Sequence, residues 1–184
     1  MNNPKVIIKE TKLGVGVFAD KNFEIGEEIF EFIGPIIESN ADIIPNSYVD
    51  KHCIQVSEHC YIGPAGGPDD FLNHSCEPNA GIKIRSNKLV LIAVKYINKG
   101  EEITFDYSTS MAEDRFEMDC GCESQSCRGR IKDFKHLPKE TQDKYMKLEI
   151  VPQFVLDSRI KKGYDENKIK QKADQGCVKL STTE

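Results

Sequence analysis

Apolar residues come in short bursts along this chain, rarely longer than five, and the bursts favour β-branched types. Val6–Ile8, Gly16–Ala19, Ile29–Ile33, Ile82–Ile84, Leu89–Val94 and Ile103–Phe105 are separated by Gly, Pro, Asn and charged residues. Runs of that length and composition predict strands rather than helices. Turn signals recur at Ile25-Gly26-Glu27, Ile33-Gly34-Pro35, Ser86-Asn87 and Asn98-Lys99-Gly100, so the expected architecture is many short strands in several small sheets. A helical pattern arrives late. Pro138 followed by Lys139–Ile150 predicts a helix with Pro at its first position, carrying Tyr145 and Leu148 on one side and ending before Pro152, where it would cap the core. From Ser158 onward the chain is polar, mixed in charge and poor in aromatics, the signature of a mobile tail. No internal repeat is present.

At 184 residues, 39% of them hydrophobic and 30% charged, the chain is expected to fold as one principal domain with a real core. The formal charge of −5 argues against broad nucleic-acid binding through phosphate neutralisation and favours a Lys-rich or Arg-rich protein partner. The first residues lack the apolar centre of a signal peptide, and no stretch approaches the roughly 20 apolar residues that span a bilayer. The expectation is an intracellular protein without membrane association. There are seven cysteines. An odd count without an export signal points to metal ligation or free thiols before a disulfide framework.

Cys120, Cys122 and Cys127 form Cys-x-Cys-x4-Cys, three soft ligands close enough for one short loop to wrap a tetrahedral zinc ion. The intervening Gly-Cys-Glu-Ser-Gln-Ser-Cys-Arg-Gly-Arg offers almost nothing apolar to bury, so a metal is the natural reason for it to order. A fourth ligand must come from a distance, with Cys53, Cys60, Cys76 and several histidines available. The pairs His52-Cys53 and His59-Cys60 do not suggest a second site, because strand neighbours and residues seven apart point to opposite faces.

Three distant segments carry the remaining chemistry. Leu13-Gly14-Val15-Gly16 precedes a strand and permits close backbone approach, yet lacks the third glycine and the helix of a dinucleotide fingerprint. Asn73-His74-Ser75-Cys76-Glu77-Pro78-Asn79 concentrates hydrogen-bonding side chains in a turn, and Ile103-Thr104-Phe105-Asp106-Tyr107 alternates as a strand does. Singly, each is also compatible with ordinary structure. In this order, from about Lys12 to Ile131, they resemble the SET-domain family of protein lysine methyltransferases. The Asn-His-Ser-Cys-x-Pro-Asn signature is complete, Gly-Glu-Glu-Leu-Thr-Phe-Asp-Tyr differs only by Ile103, and a post-SET Cys-x-Cys-x4-Cys follows.

The resemblance implies a mainly β, β-clip-like fold of short curved sheets with knot-like C-terminal threading, few helices and one late C-terminal helix. It implies residues 5–110 as the catalytic domain, 111–134 as the zinc-binding segment, 135–157 as a helical extension and 158–184 as the tail. It adds Cys76 as the fourth zinc ligand. S-adenosylmethionine would be held by Leu13, Gly14, Val15 and Gly16, with Asn73, His74 and Tyr107 contacting it and Ile131 covering its adenine. Tyr107 is the expected catalytic tyrosine, and Phe105, two residues earlier, is expected to face the same lysine channel and to allow di- or trimethylation. Tyr48 and Tyr61 are candidates for the channel wall or for plain core aromatics. The expected substrate is a lysine-containing protein, a histone or another basic protein. Two departures stand out: Asp70 where the family often has a basic residue, and Phe32 where it has tyrosine. The competing readings are a catalytically inactive module of the same fold and a zinc-loop adaptor without cofactor affinity.

Overall fold

The computed structural model describes residues 5–12, 14–38, 43, 47–114 and 117–158. Its strands, in chain order, are β1 (Val6–Thr11), β2 (Gly14–Ala19), β3 (Glu28–Glu31), β4 (Ile36–Ile37), β5 (Ile54–Gln55), β6 (Tyr61–Ile62), β7 (Asn73–His74), β8 (Ala80–Arg85), β9 (Lys88–Ala93), β10 (Glu102–Phe105), β11 (Met118–Asp119) and β12 (Arg130–Ile131). They form four small sheets ordered β1-β2-β10-β7, β3-β9-β8, β4-β6-β5 and β11-β12. Each predicted strand is present, within two residues at its ends except β1, which runs three residues further, to Thr11. The pairs are antiparallel except β7 with β10, which run parallel and set Asn73 beside Thr104 and His74 beside Phe105. Two signature segments 30 residues apart in the chain thereby become neighbours.

The β8–β9 hairpin turns through Ser86 and Asn87, with φ of 49° and 61°. Positive φ at both central residues of a two-residue loop gives the turn whose twist matches the flanking strands. Along β9 the side chains alternate between two cores. Leu89, Leu91 and Ala93 join Val17, Phe23, Ile29, Ile82 and Ile103 between the sheets. Val90 and Ile92 point the other way, into a cluster with Phe134, Leu137, Tyr145, Ile150 and Val155. A strand buried on both faces explains why Leu89–Ala93 reads as an unbroken apolar run.

That second cluster is closed by helices. α1 (Tyr48–His52) is a short piece before β5, α2 spans Lys139–Lys147, and α3 covers Gln153–Ser158. α2 follows Pro138 as predicted, but stops three residues before Ile150 and is succeeded by a second short helix that the sequence pattern did not announce. The cause is a Schellman ending: Glu149 takes φ 54°, its amide bonds to the Met146 carbonyl, and the Ile150 amide bonds to the Tyr145 carbonyl. Glycine usually occupies such a position. Glutamate there hides the stop signal. Of the tail read from sequence over 158–184, Ser158 is the last residue of α3, and residues 159–184 lie outside the described residues. Among the described residues no helix is long and apolar enough to cross a membrane.

Candidate active site and cysteine cluster

A cavity of about 550 Å³ opens between the β1-β2-β10-β7 and β4-β6-β5 sheets, with Val15, Phe32, Tyr61, Asn73, Phe105 and Tyr107 on its wall. β2 delivers Val15, which is exposed, and β7 delivers Asn73, whose side-chain amide donates to the Val15 carbonyl at 3.0 Å and to Glu102 Oε1 at 2.7 Å. Gly16 is fixed by this arrangement: a Cβ there would lie 2.5 Å from Glu102 Oε1 and 2.9 Å from Asn73 Nδ2. Its bareness accommodates side chains of the protein itself, those of Glu102, Thr11 and Asn73. Gly14, at φ 114°, sits where a Cβ would meet nothing within 4 Å. Leu13 lies outside the described residues.

β10 ends at Phe105, and Tyr107 begins a 3₁₀ turn, Tyr107–Ser110. The expectation that both occupy one strand is corrected, yet both rings reach the same cavity, with centroids 5.0 Å apart. Phe32 packs edge-on against Phe105 at 6.4 Å. The Tyr107 hydroxyl donates to the Leu72 carbonyl at 2.6 Å. Burial, reinforced by the Glu102 carboxylate, pushes its pKa up to about 12, so it remains a neutral hydroxyl. Tyr61 is buried on the cavity wall, and its hydroxyl has no hydrogen-bond partner among the described residues. Tyr48 is half exposed, stacks on His52 and is not part of the wall.

His74 and Ile131 lie apart from this group. Neither lines the cavity. Ile131 is buried in the β11–β12 pair opposite Met118. The His74 ring accepts a hydrogen bond at Nδ1 from the Tyr107 amide, 3.2 Å away, and turns Nε2 toward the Cys76 sulfur at 3.3 Å. Burial holds its pKa down, to about 4, against the pull of Asp106. A neutral ring accepting at Nδ1 carries its proton on Nε2, which therefore donates to sulfur; the tautomer is assigned from this network.

The sulfurs of Cys76, Cys120 and Cys122 and a His74 nitrogen all lie within 4.8 Å of one another. Backbone amides point at the sulfurs: Arg128 to Cys76 at 3.4 Å, Cys76 to Cys122 at 3.5 Å and Gly129 to Cys127 at 3.4 Å. Burial raises the Cys76 and Cys120 thiols. At Cys122 the Cys76 amide and the Ser124 hydroxyl outweigh burial and bring it down to about 6. Converging soft donors with amides aimed at them are the chemistry of a thiolate-bound metal, so the site fits zinc. Cys127 is exposed and stands beside this group, 3.9 Å from the Cys120 carbonyl oxygen, outside the tight set.

Three residues that sequence reasoning missed join the two sites. Asp106 is fully buried, accepts from the Ser108 amide at 3.1 Å, and pairs with Arg128 Nη2 at 2.8 Å and with the Tyr145 hydroxyl at 3.0 Å. A carboxylate between the aromatic rings of Phe105 and Tyr107 was the available signal, because a buried charge requires a cation.

Small sheets around a cavity with an adjoining cysteine cluster define a class of β-rich scaffold. Within that class, the SET-domain family matches residues 14–108, over half of the chain, and this protein belongs to that family. It is 30% identical over 132 residues to histone-lysine N-methyltransferase 2D of Homo sapiens, covering 62% of this chain and 2% of that protein. It is 30% identical over 163 residues to the variant-silencing SET domain-containing protein of Plasmodium falciparum, covering 74% of this chain and 6% of the relative. The chain thus spans a small part of the length of these relatives. Among solved structures it is similar to KRYPTONITE in complex with mCHG DNA and SAH, with TM-score 0.55 and 26% identity over 68% of this chain and 28% of that one. A second KRYPTONITE complex, with mCHH DNA, an H3(1-15) peptide and SAH, matches at TM-score 0.54 and 25% identity, covering 68% of this chain and 29% of that one.

Proposed function

We propose that this chain is a protein-lysine N-methyltransferase using S-adenosylmethionine, and that its substrate is a histone or another basic protein. The observation that carries the reading is the single cavity in which Val15 and Asn73 meet Phe105 and Tyr107. Family membership and the histone-lysine methyltransferases among its relatives support it. When bound, the cofactor supplies an electrophilic methyl group on a positively charged sulfur. The backbone near Leu13–Val15 would hold its amino-acid end, with Asn73 contacting its other parts. The remaining work falls to the protein.

A lysine with pKa near 10.4 costs about 4–5 kcal/mol to present as the neutral amine at pH 7. The apolar faces of Phe32 and Phe105 disfavour the ammonium form inside the channel. Tyr107 then orients the amine. Donation to Leu72 fixes the hydroxyl's proton and leaves its lone pairs to accept an N–H from the substrate, which turns the nitrogen lone pair toward the methyl donor. Phe105 leaves no hydroxyl to anchor a water beside the amine, so we infer that methylation proceeds to the di- or trimethyl state. Cys76, Cys120, Cys122 and Cys127 would hold one structural zinc, with the His74 Nε2–H as a supporting donor to Cys76. A histone substrate would place the protein's work inside the cell, in the nucleus where the cell has one.

Calorimetry with S-adenosylmethionine, followed by labelled-methyl transfer to core histones and peptide mapping by mass spectrometry, tests the reading. Binding together with lysine methylation is expected. Binding without transfer to any basic protein would instead favour the inactive module, and no binding would favour the adaptor.

A further inference from the structure

The family match ends at residue 108, yet the buried carboxylate next to the catalytic tyrosine takes two of its three strongest partners from beyond that point. Asp106 is the cap of the 3₁₀ turn that carries Tyr107: its Oδ1 accepts from the Ser108 amide at 3.1 Å, and its carbonyl accepts from the Thr109 amide at 2.9 Å. Arg128, one residue after Cys127, brings Nη2 to 2.8 Å from the carboxylate and to 3.4 Å from the Ser108 hydroxyl. Tyr145, from the last turn of α2, donates to Oδ2 at 3.0 Å and lies 3.4 Å from the Cys76 carbonyl. Asp106 has no exposed surface at its side chain, Arg128 retains 15%, and Tyr145 is buried. A carboxylate so enclosed keeps its place only while its cation and donor keep theirs, because water cannot substitute for them.

Each partner comes from a different segment. Arg128 belongs to the cysteine loop and Tyr145 to the helical extension, and neither touches the cavity. The turn they hold also bears the Tyr107 amide that donates to His74. Loosening Asp106 would therefore let Tyr107 shift against Phe105 and Leu72 while leaving the rest of the cavity wall in place. Displacement of a reacting group by about an ångström is enough to cost on the order of a hundredfold in rate.

We propose that Arg128 and Tyr145 are positioning residues for methyl transfer: through Asp106 they set the turn that presents Tyr107, so the cysteine loop and the C-terminal helix are working parts of the active site. This rests on the methyltransferase reading. The test compares Arg128→Met and Tyr145→Phe in the full chain, the second keeping the buried ring and removing only the hydroxyl. At a temperature well below every variant's melting point, kcat should fall at least tenfold for Arg128→Met and about threefold for Tyr145→Phe, with KM for the protein substrate changed less than twofold. Amide hydrogen exchange gives a readout independent of turnover. Ser108 and Thr109 should exchange at least tenfold faster in Arg128→Met, while Ile82, Leu91 and Ile103 keep their protection. Unchanged kcat in both folded variants, or exchange accelerated equally in the β8–β9 core, would reduce the network to general stability and overturn the proposal. A wild-type chain without turnover would count against the methyltransferase reading instead, and the exchange pattern would still decide how the Tyr107 turn is held.

Discussion

Tyr107 combines two properties that are rarely useful apart: a hydroxyl kept neutral by burial and a proton already committed to Leu72. Replacing it by Phe keeps the ring against Phe105 and His74 and removes the acceptor for the substrate amine. We expect Tyr107→Phe to lower the methylation rate at least tenfold, about 1.4 kcal/mol of barrier, with cofactor affinity little changed. An unaltered rate would take Tyr107 out of the mechanism. The pH dependence follows from the same residue. A tyrosine raised to about 12 contributes no loss of function as pH climbs from 7 to 10, so kcat/KM should rise over that range as substrate lysine deprotonates. A falling limb near pH 10 that disappears in Tyr107→Phe would contradict this. At Phe105 the expected outcome concerns product rather than rate. Phe105→Tyr should shift exhaustive reactions toward monomethyl-lysine, read by mass spectrometry, and a wild-type enzyme that yields monomethyl product alone would remove the argument.

Elements are placed by close backbone approaches that single side chains cannot reveal. Gly81 on β8 is the clearest: a Cβ there would stand 2.6 Å from Ile150 Cγ2 and 2.7 Å from Ile150 Cβ, and Ile150 is itself buried. Gly81→Ala must push β8 away from Ile150, which closes the turn after α2, and that places it among overpacking changes that cost about 1–3 kcal/mol. Thermal unfolding should show a lowered melting temperature, and an unchanged one would mean that the helical extension yields freely. The same geometry marks the limit of what pattern reading achieves. Strands β1, β2, β3, β8, β9 and β10 were legible because each carries β-branched or aromatic residues between clear turns. The pieces β4, β5, β6 and β7 are two residues long. They exist only through their pairing partners, which no local pattern records. The end of α2 was hidden by Glu149 in a conformation usually given to glycine. In the site, the signature residues were readable, whereas the Asp106 network was not, since its members stand 22 and 39 positions apart in the chain.

Across the whole molecule, the sheets, the cysteine loop and the C-terminal helix converge on the short stretch from His74 to Cys76. Cys76 lies in the same segment as Asn73, which lines the cavity, and its sulfur lies 3.8 Å from Cys120 Sγ. The loop that contributes Cys120, Cys122 and Cys127 has little apolar surface of its own. Of its residues beyond the cysteines, Arg128 reaches Asp106, Ser126 bonds Glu77 at 2.5 Å, and Glu123 forms an exposed ion pair with Lys12 at 3.2 Å. Those contacts alone are few to order ten polar residues, since each costs roughly 1–2 kcal/mol of backbone entropy. Metal binding of the strength found for structural zinc exceeds that cost, so folding of the loop should be coupled to the metal. We therefore expect one zinc per chain in freshly purified protein, and we expect removal by a strong chelator to release residues 117–131 to rapid exchange before the β8–β9 core responds. Activity should fall with the same metal dependence, because the loop carries Arg128 away from Asp106 when it opens. Cys127→Ser makes the prediction sharper, since Cys127 sits at the edge of the donor group: as the fourth ligand its loss should weaken zinc retention at least tenfold. Full retention of zinc in that variant would assign the fourth position to another donor, and active protein with no zinc at all would sink the metal reading.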